Sequence, residues 1–184
     1  MSGAVPRLDP SSLGQHLDAL YRAAWALCGA REDAEDLVQD TLTQVLARPR
    51  TVQAGGERAY LMRALRNTFA SWLRTRSRRP RTVPEPDGFE AADPHSERSP
   101  ELAAEVGDLF AAVAALPEDF RMALAAVDIL GLTYGEAAAA LGTSEATITT
   151  RIYRARQRVA AQLTEPPAGD HAREGSGPDR SLRS

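Results

Sequence analysis

A glycine-centred turn between two helical patterns constrains the C-terminal part of the chain more than any other feature. Thr133 and Glu136 have the T-x-x-E spacing of a capping box, which predicts that a helix begins there. Gly142 follows the alanine-rich end of that helix, where a tight turn favours a residue that can adopt a positive φ. Ser144 is suited to cap a second helix. Two helices joined by a short glycine turn predict a helix-turn-helix.

The second of these helices carries two stripes of residues at helical spacing. The apolar stripe predicts a core-facing side and consists of Ile148, Ile152, Ala155, Val159 and Leu163. The polar stripe lies beside it and consists of Thr147, Arg151, Arg154 and Arg158. An αα-hairpin with a solvated arginine face is the alternative interpretation, because charged stripes on helices are commonly just solvent-exposed.

The residues of this region, in their order, resemble the C-terminal promoter-binding domain of extracytoplasmic-function sigma factors of bacterial RNA polymerase. The resemblance is carried by Leu116-Pro117, Arg121 and the segments 131–137, 141–144 and 147–156. It implies that the predicted helix-turn-helix reads the −35 promoter element in the major groove. The DNA-binding residues that it implies are Ser144, Thr147, Thr149, Arg151 and Arg154.

An acidic helix is predicted over residues 31–47, and it ends before Pro49. Between Glu32 and Asp40 there are five acidic residues and no basic one. Segment 33–40 resembles the sigma-factor segment that docks on the clamp helices of the largest polymerase subunit. The polymerase-binding residues implied by this resemblance are Asp33, Asp36, Gln39 and Asp40. A solvated acidic face, favoured by acids near a helix N-terminus, is the alternative.

An arginine-rich helix is predicted over residues 58–76, and from Arg58 to Arg81 there are eight arginines and no acid. Segments 59–61 and 66–67 resemble a signature of the same family, which implies binding and opening of the −10 promoter element. The residues implied are Arg58, Tyr60, Arg63, Arg66 and Asn67. Arginines here would hold phosphates, and Tyr60 and Asn67 would meet an unstacked base. The preceding loop, 49–57, lacks the aromatic residue that family members often carry, and Ser71 replaces their usual aspartate.

The predicted fold is all-α, with two small helical domains joined by a flexible acidic linker. Hydrophobic residues make up 43% of the chain and aromatic residues only 5%, which favours small helical domains over a β-sandwich. The linker has five prolines and five acidic residues and cannot bury enough surface to fold alone. The predicted division is a disordered N-terminus (1–12), a region 2-like domain (13–79), the linker (80–100), a region 4-like domain (101–164) and a disordered tail (165–184).

The sequence therefore predicts an alternative sigma factor whose partners are core RNA polymerase, promoter DNA and, by family resemblance, an anti-sigma factor. The first rival is a helix-turn-helix transcription regulator that acts without replacing sigma, and the second is a helical protein-interaction bundle. No nucleophile arrangement or phosphate-binding glycine loop indicates an enzyme, and the single cysteine and three scattered histidines indicate neither a metal nor a cofactor. Without an apolar run of about 18 residues or a signal peptide, we expect a cytoplasmic protein with no membrane insertion.

Overall fold

The computed structural model describes residues 13–47, 52, 55–76 and 100–164, and those residues form seven α-helices and no strand. The all-α prediction is confirmed. A short 3₁₀ turn, Gly14–His16, precedes the first helix, and a five-residue π-helical segment, Ala125–Ile129, follows the fifth. The helices are α1 (Leu17–Cys28), α2 (Arg31–Ala47), α3 (Glu57–Arg76), α4 (Pro100–Ala114), α5 (Glu118–Leu124), α6 (Tyr134–Leu141) and α7 (Glu145–Thr164).

The predicted helix-turn-helix is confirmed as α6, a turn at Gly142, and α7. Thr133 Oγ1 accepts a hydrogen bond from the Glu136 N–H at 3.2 Å, and the Glu136 carboxylate accepts one from the Thr133 N–H at 2.8 Å. This bond from the Thr133 backbone holds the pKa of Glu136 below its usual value. Gly142 ends α6 with a φ of 68°, and Ser144 Oγ accepts a hydrogen bond from the Thr147 N–H at 3.2 Å. The local sequence rules for helix ends therefore hold throughout this motif.

Leucine and alanine side chains make up most of the buried core, with fewer valines and isoleucines. The fully buried large apolar side chains on α1, α2 and α3 are Leu20, Leu27, Leu37, Leu61, Met62, Leu65 and Phe69. In the C-terminal half they are Leu130, Ile148 and Ile152. The predicted apolar stripe of α7 is thus buried as far as Val159.

Four leucines that the helical spacing places in the core are instead exposed. They are Leu17, Leu46, Leu109 and Leu163, with exposed fractions of 40%, 50%, 41% and 48%. Leu17 and Leu46 lie at the ends of α1 and α2, and Leu163 lies in the last turn of α7, where every residue is exposed. Leu109 precedes the buried end of α4, where Ala112 and Val113 pack. Periodicity identifies the face of a helix but not how far along it a neighbour reaches.

The N-terminal and C-terminal helices pack against each other, a contact that the sequence analysis did not predict. The Trp25 ring of α1 stacks on the Phe110 ring of α4, with centroids 4.3 Å apart and planes inclined by 10°. Gly29 ends α1 with a φ of 78°, and a β-carbon there would lie 3.0 Å from the β-carbon of Ala114. Helix α3 also packs along α6. Two sets of helices predicted as separate units are therefore in direct contact.

Several sequence predictions concern residues outside the described ranges. They include the disordered termini 1–12 and 165–184, residues 80–99 of the linker, and most of the loop that precedes α3. The domain limits stay predictions. Among the helices that are described, none combines the length and the apolar character needed to cross a membrane.

Replacing Thr133 with alanine should lower the free energy of unfolding by about 1 kcal/mol, because the α6 capping box loses its side-chain acceptor. Urea unfolding followed by circular dichroism measures this as a lower midpoint at an unchanged slope. Thr164→Ala, at the exposed last position of α7, is the matched control and should leave the midpoint unchanged. Equal midpoints for Thr133→Ala and the wild type would contradict the assigned role of the cap.

Candidate polymerase and nucleic-acid interfaces

The four residues predicted to bind polymerase on α2 do not share one environment. Asp36, Gln39 and Asp40 are exposed, and their side chains make no hydrogen bond or ion pair within the described ranges. Asp33 is different, because its Oδ2 atom lies 2.5 Å from Nη1 of Arg76 on α3 and only 25% of its side chain is exposed. Asp36, Gln39 and Asp40 therefore lie together on one exposed surface of α2, whereas Asp33 links α2 to α3 through an ion pair.

The arginines of α3 that were predicted to bind DNA point towards the C-terminal helices. Arg58 Nη1 donates a hydrogen bond to the Leu130 carbonyl oxygen at 3.2 Å. Arg63 Nη2 donates a longer one to the Ala139 carbonyl oxygen at 3.5 Å. Arg66 lies against the turn of the helix-turn-helix, where a β-carbon at Gly142 would be 3.2 Å from its Nη1 atom. Three predicted DNA ligands thus already contact the chain itself.

The other two residues predicted for the −10 element have different surroundings. Tyr60 is half-buried and packs against the hydrophobic core. Asn67 is exposed, and its Oδ1 atom accepts a hydrogen bond from Arg66 Nη2 at 3.3 Å. Asn67 therefore offers an accessible amide beside an arginine, whereas part of the Tyr60 side chain is already packed against the core.

On α7 the two predicted arginines differ in what they contact. Arg151 Nη2 donates to Oδ2 of Asp119 on α5 at 2.5 Å, with 23% of the arginine side chain and 65% of the aspartate side chain exposed. Arg154 is exposed and makes no hydrogen bond or ion pair to any described residue. Both line an open concavity between α5 and the N-terminal half of α7, together with Phe120 and Thr147. This concavity presents guanidinium groups that can bind phosphate or a guanine edge.

The remaining α7 residues predicted to bind DNA lie near the start of the helix. Ser144 caps α7, and its hydroxyl lies 2.8 Å from that of Thr147. Thr149 is exposed and its Oγ1 atom donates to the Glu145 carbonyl oxygen at 3.0 Å. The hydroxyl groups of these short side chains already form hydrogen bonds within α7. The surface that they present to solvent is therefore mainly methyl and hydroxyl.

Tyr153 is a candidate DNA-contacting residue that the sequence analysis missed. It is 64% exposed on the side of α7 opposite the buried stripe, and its hydroxyl oxygen accepts a hydrogen bond from Gln157 Nε2 at 2.8 Å. Thr150 shares this outward side. The signal was available, since residues half a helical turn away from Ile148 and Ile152 must face outward. The arginine stripe borders this surface rather than forming its centre.

A second carboxylate–arginine pair braces α7 away from the predicted DNA contacts. Arg156 bonds to Asp128 in the π-helical segment through Nε at 3.1 Å and Nη2 at 2.5 Å. The hydrogen bond with Asp128 raises the pKa of Arg156 above its ordinary value. Arg158 lies over the Phe120 ring, 4.9 Å from its centroid. Helix α7 is therefore held against the preceding helices by arginines on both of its flanks.

Comparison with known proteins identifies the class to which this chain belongs. Residues 13–79 match the family model described as sigma-70 region 2, and residues 107–159 match the one described as sigma-70, region 4. These two matches define a sigma-70-type sigma factor. With the relatives described next, they place the chain in the extracytoplasmic-function (ECF) subfamily of RNA polymerase sigma factors, and the resemblance read from the sequence is confirmed.

Two relatives and one solved structure show how far the similarity extends. The chain is 38% identical to ECF RNA polymerase sigma factor SigE of Mycolicibacterium smegmatis over 164 residues, which is 88% of this chain and 63% of that relative's length. It is 36% identical to ECF RNA polymerase sigma factor EcfG of Rhodopseudomonas palustris over 166 residues, 90% of this chain and 87% of the relative. The sigma factor RpoE of Bartonella quintana, solved in complex with the anti-sigma factor NepR, superimposes with a TM-score of 0.62 at 29% identity, covering 83% of this chain and 94% of that one.

Replacing Asp119 with asparagine should strengthen binding of the chain to duplex DNA, because Arg151 loses a competing carboxylate and becomes available to phosphate. If one phosphate contact is gained, the slope of log affinity against log salt should become more negative by about 0.9. Fluorescence anisotropy of a labelled duplex across a salt series measures both quantities.

Asp128→Asn is the matched control, since it removes the same kind of ion pair from Arg156 in the C-terminal half of α7. It should change the slope less, because the N-terminal half of a recognition helix is the part that enters the groove. Equal slopes for Asp119→Asn and the wild type would refute the proposed competition for Arg151.

Proposed function

We propose that this protein is an alternative sigma factor that binds core RNA polymerase and directs it to promoters. One observation carries the proposal: a single chain contains, in family order, a region 2 match with an acidic and an arginine-rich helix, and a region 4 match with a helix-turn-helix. Each half alone is compatible with a DNA-binding regulator. Both in one chain favour a protein that joins polymerase to two promoter elements.

The proposed polymerase-docking surface is the exposed face of α2 formed by Asp36, Gln39 and Asp40. Exposed side chains without a partner in the described ranges are suited to a partner outside the chain, because docking breaks no existing bond. Asp33 has an indirect part in this proposal, since its ion pair with Arg76 fixes α2 on α3. The partner would be the clamp helices of the largest polymerase subunit.

The proposed promoter contacts divide between α3 and α7. Arg58, Arg63 and Arg66 would hold the phosphates of the −10 element, with Asn67 offering its amide to an unstacked base. On α7, Arg154 would reach a base edge or phosphate of the −35 element.

The outward side of α7 adds apolar contacts to this proposal. Thr149 and Tyr153 would contact thymine methyl groups, which a threonine methyl or an aromatic ring can read in the major groove. Ser144 and Thr147, at the N-terminus of α7, are placed for phosphate contacts.

In this proposal the protein performs no chemistry of its own and works in the cytoplasm, where polymerase supplies the catalytic step. An anti-sigma factor is a further proposed partner. The support is that the similar sigma factor RpoE was solved in complex with the anti-sigma factor NepR. Neither a cofactor nor a metal enters the proposed mechanism.

Transcription in vitro with purified core polymerase on genomic DNA fragments tests the proposal directly. We expect start sites that appear only when this protein is added, because sequence recognition resides in α3 and α7 and core enzyme alone lacks it. Run-off products mapped by sequencing are the measurement. DNA binding without any new start site would instead support a helix-turn-helix regulator.

The docking surface is tested by the double variant Asp36→Arg with Asp40→Arg. It should abolish recovery of core polymerase in a pull-down, because two charges are reversed on the proposed contact while no intramolecular bond is broken. Glu105→Arg with Asp108→Arg is the matched control, since it makes the same change in net charge at exposed positions of α4. Wild-type recovery by the α2 variant, with helicity intact, would exclude this surface.

A further inference from the structure

The outward side of α7 carries a stripe of exposed side chains that recur at helical spacing. The members of this stripe are Thr150, Tyr153, Arg154 and Gln157. Their spacing places them on one face of the helix, away from the buried apolar side chains. Gln157 has no part in the promoter contacts proposed so far, although it lies on the same face as Tyr153 and contacts it.

The hydroxyl groups on this side of α7 differ in whether their protons are available. Thr149 Oγ1 and Thr150 Oγ1 each donate a hydrogen bond to a carbonyl oxygen one turn earlier in the helix, both at 3.0 Å. The Tyr153 hydroxyl oxygen instead accepts a hydrogen bond from Gln157 Nε2 at 2.8 Å. Its own proton is not donated to any residue in the described part of the chain. Of these three hydroxyl groups, the one on Tyr153 therefore has its proton available to DNA.

Gln157 is well placed to fix the polarity of the tyrosine hydroxyl. Side chains on a helix lean towards its N-terminus, so a residue four positions further along reaches back over its neighbour. A phenol hydroxyl that has no fixed partner can either donate or accept a hydrogen bond. The Gln157 amide occupies the accepting side of the Tyr153 hydroxyl, which is then presented to solvent as a donor. Because hydrogen bonds in a chain polarise one another, the accepted bond also makes this hydroxyl a better donor.

We propose that Gln157 sets the Tyr153 hydroxyl as a hydrogen-bond donor and that the pair recognises thymine in the −35 element. The inference rests on the proposed function, which places α7 in the major groove. In that groove thymine presents its C5-methyl group and the O4 acceptor, whereas cytosine presents an amino donor. The Tyr153 ring would contact the methyl group, and its hydroxyl would donate to O4.

Gln157 is a positioning residue in this proposal, because it acts on DNA through the Tyr153 hydroxyl. It lies about 6 Å further along the helix axis than Tyr153. It thus belongs to the C-terminal half of α7, whereas base edges are contacted by the N-terminal residues of a recognition helix. A glutamine that bound a base directly would favour adenine, with which it forms two hydrogen bonds. Thymine recognition that depends on Gln157 is therefore the distinctive expectation.

The test measures binding of the full chain to a labelled duplex that the chain itself has enriched from a randomised library, so the result does not depend on polymerase. Each thymine is replaced in turn by uracil, which lacks the methyl group, or by 5-methylcytosine opposite guanine. The second replacement keeps the methyl group and exchanges O4 for an amino group. We expect one thymine position at which each replacement raises the dissociation constant of the wild type by about fivefold. Fluorescence anisotropy is the measurement.

Three variants separate the hydroxyl from the ring and from its polarity. Tyr153→Phe should lose the preference for thymine over 5-methylcytosine but keep the preference over uracil, because the ring remains. Gln157→Ala should lower the preference over 5-methylcytosine to less than about twofold, since an untethered hydroxyl can accept a bond from the amino group. Gln157→Glu should reverse this preference, because a carboxylate accepts the tyrosine proton and leaves the hydroxyl oxygen as an acceptor. Its added charge weakens binding to both duplexes alike, so the ratio of the two dissociation constants is compared.

Gln162→Ala is the matched control, because it makes the same truncation at another exposed position of α7 and should keep the wild-type ratios. The double variant Gln157→Ala with Tyr153→Phe should bind like Tyr153→Phe alone. A further loss of affinity in the double variant would overturn the positioning role, since Gln157 would then contact DNA itself. If Tyr153→Phe weakens binding to all duplexes equally, the hydroxyl binds phosphate and thymine recognition is refuted. Circular dichroism checks that each variant is folded.

The two proposals fail in different ways in these experiments. If the variants behave as expected but core polymerase gains no start site from this protein, the sigma-factor function fails and the recognition pair stands. If new start sites appear but Gln157→Ala discriminates between thymine and 5-methylcytosine as well as the wild type, only the recognition pair fails. A library in which no sequence is enriched would also overturn the pair, because the chain would then not distinguish bases.

Discussion

Arginine side chains that bond to carbonyl oxygens at helix C-termini hold the two halves of this chain in contact. Arg58 and Arg63 reach from α3 to the C-terminal helices, and Arg121 reaches back to the end of α1. Every basic residue apart from the three histidines is arginine, so each such contact uses a planar group with several donors. Because the carbonyl oxygens at helix C-termini carry partial negative charge, they are suitable acceptors for these guanidinium groups.

On α7, the other arginine-rich helix, two of the arginines form ion pairs with aspartates. Asp119 pairs with Arg151 on one flank of α7, and Asp128 pairs with Arg156 on the opposite flank. Both pairs fix α7 against α5 and the π-helical segment, so contacts within the chain already position this helix. Only Arg154 among the predicted arginine ligands is exposed and without a bond to another described residue. These arginines therefore differ in how many hydrogen bonds or ion pairs each would have to give up to bind a phosphate.

Local features of the sequence were read correctly because their causes lie within a few residues. The capping box at Thr133 and Glu136, the left-handed turn at Gly142 and the cap at Ser144 each depend on backbone groups three or four positions away. Leu163 was predicted to face the core and is exposed, because a helical period carries no information about where the neighbouring helix ends. Tyr153 was missed because the arginines beside it dominated the interpretation of α7.

By itself the sequence determined the helices, their caps, the helix-turn-helix and the family, because periodicity, capping and ordered motifs are short-range properties. Only the tertiary structure decided which arginines are already engaged. Arg58 and Leu130 are separated by 72 positions, and Arg121 and Leu27 by 94. An arginine has the same helical spacing in the sequence whether its guanidinium group faces solvent, a phosphate or a distant carbonyl oxygen. The choice among them depends on how the helices are brought together, which sequence spacing does not encode.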